Sequence, residues 1–267
     1  MAAPSVTFCF LVVRDLVKEK LWRRWLDRLD QLDFPYRLIV HCSHAHLGNI
    51  TSPWLQQRLI PVHEDTAWGQ LMPAQLALYR EAMTGGGADW ASLHSETCVP
   101  MVSPEAFIAF FDAHRNQSLL RAREIWWKVE SNNRGNLQAV PVEHRVGHDQ
   151  WCILTRADLA AVLAFCDDPQ TSGFAASMAA SAVSDESFTG VALSMLGRLA
   201  GVDRRMSTLV DWARTETGDS PHTFVAWGKE DVEAVAAVIA LHGQPMFLRK
   251  VAGTFPDEAV EAWWGEK

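Results

Sequence analysis

The hydrophobic positions of the first half of the chain follow two different periods. Residues 6–13 (VTFCFLVV) and 37–41 (RLIVH) are short, nearly continuous runs of β-branched and aromatic residues, typical of strands buried on both faces. Residues 15–32, between them, carry apolar side chains at helical spacing. The pattern predicts a strand, a covering helix and a second strand.

The same alternation continues to residue 121. We expect a short strand within 56–61, a helix over 68–83 with Pro73 early in it and glycines 85–87 ending it, and a strand over 89–93. A further helix over 103–114 has Ser103 as its cap, and an extended segment begins at 118. This order predicts an α/β fold with a single, Rossmann-like, mostly parallel sheet flanked by helices, whose functional residues lie beyond the carboxyl ends of the strands.

The second half is less regular. Residues 130–147 are polar and predict a loop over the site, and 170–184 are rich in Ala and Ser, which predicts a short helix and a mobile loop. Helices are expected over 156–165, capped by Thr155, and over 185–199 and 229–242, with extended segments over 208–212 and 246–250. No repeat or linker divides the chain, so residues 1–267 are interpreted as one domain.

Composition narrows the class of protein. The formal net charge is −8 and no basic cluster is long enough for a nucleic-acid footprint, so no nucleic-acid partner is expected. The chain has twelve Trp but only two Tyr. Core packing is the favoured explanation for this excess, although Trp rings also form platforms for sugars. The five cysteines are widely spaced and predict buried free thiols in a reducing compartment. The apolar run near the start is too short for a signal sequence or a membrane span, which predicts a cytoplasmic protein.

Five segments, taken in order, resemble the core-2/I-branching enzyme family, glycosyltransferase family 14. They are FCFLVVRDLVKEKLWRRWL at 8–26, IVHCS at 39–43, WG at 68–69 with Ala74 and Leu78, SLHSETCVPM at 92–101, and a C-terminal set. That set comprises DQW at 149–151 (family SQW), SDESF at 184–188 (PDEHY), TLVDWAR at 208–214, PHTF at 221–224 (PATF) and FLRK at 247–250 (FARKF). Each segment alone is weak, but their order and spacing cover nearly the whole chain.

The resemblance implies a GT-A-like fold, with a donor-binding half at about 1–115 and an acceptor and catalytic half at about 116–267. It implies an inverting glycosyltransferase that needs no metal or other cofactor and moves GlcNAc or xylose from a UDP-sugar donor to a glycan acceptor. No Asp-x-Asp, the usual metal-holding motif, is present. Animal members are lumenal, membrane-anchored and disulfide-bonded. We expect neither an anchor nor paired cysteines here, so that cellular setting is not expected to carry over.

By resemblance, Glu186 falls on the family's general base, Lys250 on its diphosphate-binding lysine, and Arg249 is beside it. The remaining matched positions divide into two groups. Donor nucleoside contacts fall on or near Val13, Arg14, Ser43, Asp65 and Trp68, and acceptor contacts on Glu124 and Lys128. Glu96 is assigned to the sugar, with capping of the next loop as the equal alternative. Of the adjacent Trp126 and Trp127, which would face opposite ways in a strand, one is expected in the core and one, assigned to Trp127, at the acceptor site.

Structural explanations compete with these roles. Asp185 and Glu186 could be first-turn acids behind a Ser184 cap, and Arg249 and Lys250 could be a solvated basic pair. Asp185 becomes the base if the alignment shifts by one residue. At the level of function, a nucleotide-sugar hydrolase or phosphorylase and a non-catalytic nucleotide- or glycan-binding relative remain the alternatives.

Overall fold

A computed structural model describes residues 5–215, 218 and 220–265 of the protein. No helix in these residues is long and apolar enough to cross a membrane. The strands are β1 Val6–Val12, β2 Tyr36–Cys42, β3 Trp90–Ser95, β4 Val99–Pro100, β5 Ala122–Arg123, β6 Gly147–His148, β7 Ile153–Thr155, β8 Thr208–Val210 and β9 Phe247–Arg249. The helices are α1 Glu19–Gln31, α2 Pro53–Gln56, α3 Met72–Ala82, α4 Pro104–His114, α5 Arg156–Asp167, α6 Ser172–Ala179, α7 Phe188–Met195, α8 Lys229–His242 and α9 Asp257–Gly265.

The largest sheet has the order β2-β1-β3-β7. Its first three strands are parallel, with Phe10 of β1 opposite Val40 on one side and His94 on the other. β7 runs antiparallel to β3. Because β1, β2 and β3 run in the same direction, the residues that follow them meet at one edge, which we call the carboxyl edge.

The prediction of a single sheet is wrong, because the described strands form three. The second sheet has the order β4-β9-β8, in which β9 is antiparallel to β4 and parallel to β8. The third pairs β5 with β6. A tight turn after β3, in which Cys98 N donates to Ser95 O at 3.1 Å, directs β4 out of the first sheet. β9 then pairs with this displaced strand and cannot extend the first sheet.

Several element boundaries are confirmed and their causes are visible. Ser103 Oγ accepts from Ala106 N at the start of α4, and Thr155 Oγ1 accepts from Asp158 N at the start of α5, each at 3.2 Å. These side chains satisfy backbone N–H groups that the first helical turn leaves without partners. The helix predicted over 229–242 has those bounds in the structure.

Four other boundaries differ from the predictions. The strand expected within 56–61 is reduced to one bridge between Leu59 and Val40. α1 begins at Glu19, because Asp15 instead accepts hydrogen bonds from the loop around Thr51. α3 begins at Met72, after Gly69 at a φ of 71°. The helix expected over 185–199 is a 3-10 turn, Ser184–Glu186, followed by the shorter α7.

An aromatic cluster joins the first two sheets. Trp22 of α1 is fully buried, stacks on Phe247 of β9 at 5.8 Å and meets Phe10 of β1 edge-on at 5.0 Å. Its Nε1 donates to Cys98 O at 2.7 Å, so the indole is both packed and hydrogen-bonded. Trp25 and Trp90 are fully buried as well, which confirms core packing for these three tryptophans.

All five cysteines are free thiols. Cys9, Cys42, Cys98 and Cys152 are buried, as predicted, whereas Cys166 is only partly buried. Burial raises the pKa of Cys152 and Cys166 to about 11. These two thiols therefore remain protonated and unreactive at neutral pH.

Replacing Trp22 with Phe should lower the free energy of unfolding by about 1–3 kcal/mol, because it opens a small cavity and leaves Cys98 O without its donor. Urea titration measures this change. The matched control is Trp68→Phe, whose side chain is 79% exposed and should alter stability by less than about 0.5 kcal/mol. Equal effects of the two substitutions would contradict the assigned role of Trp22.

Candidate functional site

The carboxyl edge of the first sheet brings together four residues that the sequence assigned to donor or sugar contacts. Val13 and Arg14 follow β1, Ser43 follows β2 and Glu96 follows β3. Arg14 Nε lies 4.0 Å from Glu96 Oε1. Val13 and Arg14 are exposed, whereas Ser43 is buried with its Oγ 2.8 Å from His46 Nδ1. An exposed cation, Arg14, thus lies beside Glu96 at this edge.

The loop over residues 63–71 carries the other two predicted donor contacts, Asp65 and Trp68, both exposed. His63 Nδ1 is 2.8 Å from Cys42 O, which ties the start of the loop to the end of β2. Near its other end, Gly69 O accepts from Val183 N at 2.5 Å. The loop therefore runs from the carboxyl edge to the segment that carries Asp185 and Glu186.

Strand β9 delivers Arg249 and Lys250 to the same edge. Arg249 Nε donates to Ser95 Oγ at 3.1 Å, and its guanidinium lies 4.6 Å from the ring centre of Trp151. Lys250 Nζ donates to Ser220 Oγ at 2.9 Å. Burial, and next the charge of Arg249, lower the pKa of Lys250. Both side chains are only partly exposed, so they are not a freely solvated pair.

Asp185 and Glu186 lie in the 3-10 turn ahead of α7. Ser184 Oγ donates to Ala179 O at 3.2 Å, so Ser184 does not cap the helix. Asp185 is buried, and burial raises its pKa to about 6. The side chain of Glu186 is 24% exposed, and burial raises its pKa to about 7 against the opposing charge of Arg134. The turn holds two carboxyl groups whose ionised forms are disfavoured.

The predicted loop over the site packs against this turn. Arg134 Nη2 donates to Glu186 Oε2 at 2.8 Å, and the Arg134 guanidinium lies 4.7 Å from the ring centre of Trp127. Gly135 N donates to Ala182 O at 2.8 Å. Sequence reasoning did not single out Arg134. Its only signal was its place before Gly135 in the polar loop.

A second ion-pair network, also absent from the predicted site, lies beside the first. Asp149 accepts from Arg123 at 2.9 Å and from Arg121 at 3.3 Å. Arg123 also lies 4.0 Å from the ring centre of Trp126. The charges of Asp149 and Arg123 both act on the pKa of Glu186, so this network borders the carboxylate.

The structure separates the predicted acceptor residues. Glu124 and Lys128 are exposed, while Trp127 is partly buried, packs against the hydrophobic core and lies beside Arg134. Its neighbour Trp126 is 47% exposed and meets it edge-on at 4.7 Å. Trp127, the one assigned to the sugar, is therefore linked to Glu186 through Arg134 but is less accessible than Trp126.

The TLVDWAR segment builds a turn. Asp211 accepts from Ala213 N at 2.9 Å and from Arg214 Nε at 2.6 Å. Arg214 also donates to Asp231 of α8 at 2.9 Å. The segment thereby fixes α8 to the end of β8, next to β9.

In the described part of the chain, no three His, Cys, Asp or Glu side chains form a cluster suited to a metal ion. The cations Arg249, Lys250 and Arg14 are the charged groups that the carboxyl edge offers to an anionic ligand. An α/β sheet with such an edge, beside a partly buried carboxylate, has the features expected of an enzyme that acts on a nucleotide-linked substrate.

Comparison with known proteins identifies the family. The model of the core-2/I-branching enzyme family matches residues 6–236, so the chain belongs to this family. The family comprises glycosyltransferases that act on glycans, which implies a nucleotide-sugar donor and a glycan acceptor. The matched range includes Glu186 and the TLVDWAR segment and ends before β9. No curated protein matches the chain.

Gly135 should resist substitution more strongly than a glycine of the same conformation elsewhere. Gly135 and Gly85 have φ angles of 63° and 65°, but a Cβ on Gly135 would overlap Ser187 Oγ, whereas Gly85 faces open space. Gly85→Ala should lower the free energy of unfolding by about 1 kcal/mol, the cost of the left-handed backbone. Gly135→Ala should lower it further, as measured by urea titration.

Adding Ser187→Ala to Gly135→Ala removes the overlapping oxygen and should recover part of the additional loss. If Gly135→Ala and Gly85→Ala have equal effects, the loop does not pack against the Glu186 turn as described.

Proposed function

We propose that this protein is an inverting, metal-independent glycosyltransferase that moves GlcNAc or xylose from a UDP-sugar to a glycan hydroxyl, forming a β-linkage. The observation that carries the proposal is the Glu186 carboxylate, which is partly buried, has a pKa of about 7 and forms an ion pair with Arg134. Asp185, the neighbour of Glu186, is close enough to Arg249 for each to shift the pKa of the other.

Inversion requires one base on the acceptor side of the sugar. In the proposed step, the acceptor hydroxyl oxygen forms a bond to the anomeric carbon while its proton moves to the Glu186 carboxylate. The bond between that carbon and the diphosphate oxygen breaks, and its electron pair leaves with UDP. A base with a pKa near the working pH combines a useful ionised fraction with enough basicity to accept the proton.

The leaving UDP carries negative charge that must be neutralised. We assign this role to Lys250 and Arg249, because the chain lacks an Asp-x-Asp motif and both cations lie at the carboxyl edge. Arg249 supplies a planar fork of donors and Lys250 a compact charge. A bound diphosphate would stabilise the ammonium form of Lys250, whose pKa burial lowers.

Accessibility favours Glu186 over Asp185 as the base. Asp185 is buried, whereas Glu186 is partly exposed, so Glu186 is the more accessible of the two to a hydroxyl group. Asp185, near Arg249, is better placed to orient that guanidinium.

The other assignments rest on the resemblance to the family. We propose donor nucleoside contacts at Val13, Arg14, Ser43, Asp65 and Trp68, along the carboxyl edge and the loop leading from it. We propose contacts to the acceptor or the transferred sugar at Glu96, Glu124, Lys128 and Trp127.

A donor panel in EDTA tests the reaction. Wild-type protein should release UDP from UDP-GlcNAc or UDP-xylose when a glycan acceptor is present, and Glu186→Gln should reduce the rate by at least about a hundredfold, the usual contribution of a general base. Glu143→Gln, at an exposed position of the loop over residues 130–147, is the matched control and should retain the wild-type rate.

The possible results separate the alternatives. Full activity of Glu186→Gln would refute the base assignment, and dependence on an added divalent cation would refute the metal-independent step. Release of UDP without an acceptor would instead indicate a hydrolase. Binding of UDP without turnover of any donor would indicate a non-catalytic relative.

A further inference from the structure

Arg134 is held in place from three directions. Its Nη2 donates to Glu186 Oε2 at 2.8 Å, and its guanidinium lies 4.7 Å from the ring centre of Trp127. The next residue, Gly135, is fixed to Ala182 by a 2.8 Å hydrogen bond. Both partners of the ion pair are about one-quarter exposed, so water screens their attraction less than it screens a surface pair.

The other charges near Glu186 do not replace Arg134. Asp185 and Asp149 both disfavour the ionised carboxylate, and Arg123 favours it more weakly than Arg134 does. Arg123 also donates a hydrogen bond to Asp149, with an Nη2–Oδ1 distance of 2.9 Å. Arg134 is thus the main group that keeps Glu186 ionised against the effect of burial.

The ion pair uses one side of the carboxylate. Glu186 Oε2 accepts from Arg134, while no described residue donates a hydrogen bond to Oε1. A carboxylate fixed through one oxygen presents the other in a defined direction, which is what proton transfer from a bound hydroxyl requires.

We propose that Arg134 is a positioning residue, which holds Glu186 through Oε2 as an ionised carboxylate so that Oε1 faces the acceptor hydroxyl. This inference rests on the proposed function of Glu186 as the base. It assigns Arg134 no contact with the reacting atoms.

The ionisation state of Glu186 can be measured without a substrate. In protein labelled with ¹³C at the glutamate carboxyl carbon, the resonance missing from Glu186→Gln belongs to Glu186. Its titration midpoint should be about 7 in the wild type. In Arg134→Gln it should rise by about one pH unit or more, because a favourable neighbouring charge is lost.

The pH profile of transfer should follow the same shift. Activity requires the ionised base, so kcat/KM should increase as the pH rises through about 7 in the wild type. In Arg134→Gln the rise should move to higher pH, with a loss of about fivefold or more at pH 7 that becomes smaller at pH 9. Arg134→Lys should keep the wild-type midpoint and lower kcat, because Lys retains the charge without the planar fork.

Arg80→Gln is the matched control, since Arg80 forms an exposed ion pair with Asp167 at 2.7 Å. It should change neither the Glu186 midpoint nor the pH profile. Thermal unfolding of every variant separates these effects from a failure to fold.

An unchanged Glu186 midpoint in folded Arg134→Gln would overturn the inference. So would a loss of activity that is uniform across pH. If Glu186→Gln proved fully active, the proposed function would fail instead. The ¹³C titration would still show whether Arg134 controls the carboxylate, so the two failures are distinguishable.

Discussion

The pairing of β9 with β4 and β8 is the interaction on which the site depends. Arg249 ends β9, and its Nε reaches Ser95 at the end of β3. This contact connects the second sheet to the carboxyl edge of the first. Trp22 reinforces the junction, because it stacks on Phe247 of β9 and donates to Cys98 in the turn between β3 and β4. The cations proposed to bind diphosphate therefore owe their position to a buried strand and not to a surface loop.

A second constraint acts on the other side of the site, where an irregular loop packs against the Glu186 turn. Gly135, with a φ of 63°, allows close contact with Ser187 and brings Arg134 to Glu186. Burial disfavours the ionised carboxylate and Arg134 stabilises it. The two opposing effects leave the pKa near neutrality, where a base both ionises and accepts protons.

Sequence patterns predicted the regular parts well. The continuous apolar runs predicted β1 and β2, and the capping residues Ser103 and Thr155 predicted the starts of two helices. The single sheet was wrong, because no local pattern reveals that the turn at Cys98 diverts β4. Glu186 was singled out as the candidate base only through the family resemblance. Arg134 was missed, because it lies 52 positions away in an irregular loop where periodicity carries no information.

In the proposed reaction Glu186 acts as the base and cations take the place of a metal ion, so the configuration at the anomeric carbon inverts. The most direct measurement is the anomeric configuration of the product, determined by NMR after transfer from the α-linked UDP-sugar in EDTA. We expect a β-linked product, formed at the rate seen without chelator. An α-linked product, or no product until a divalent cation is added, would contradict it.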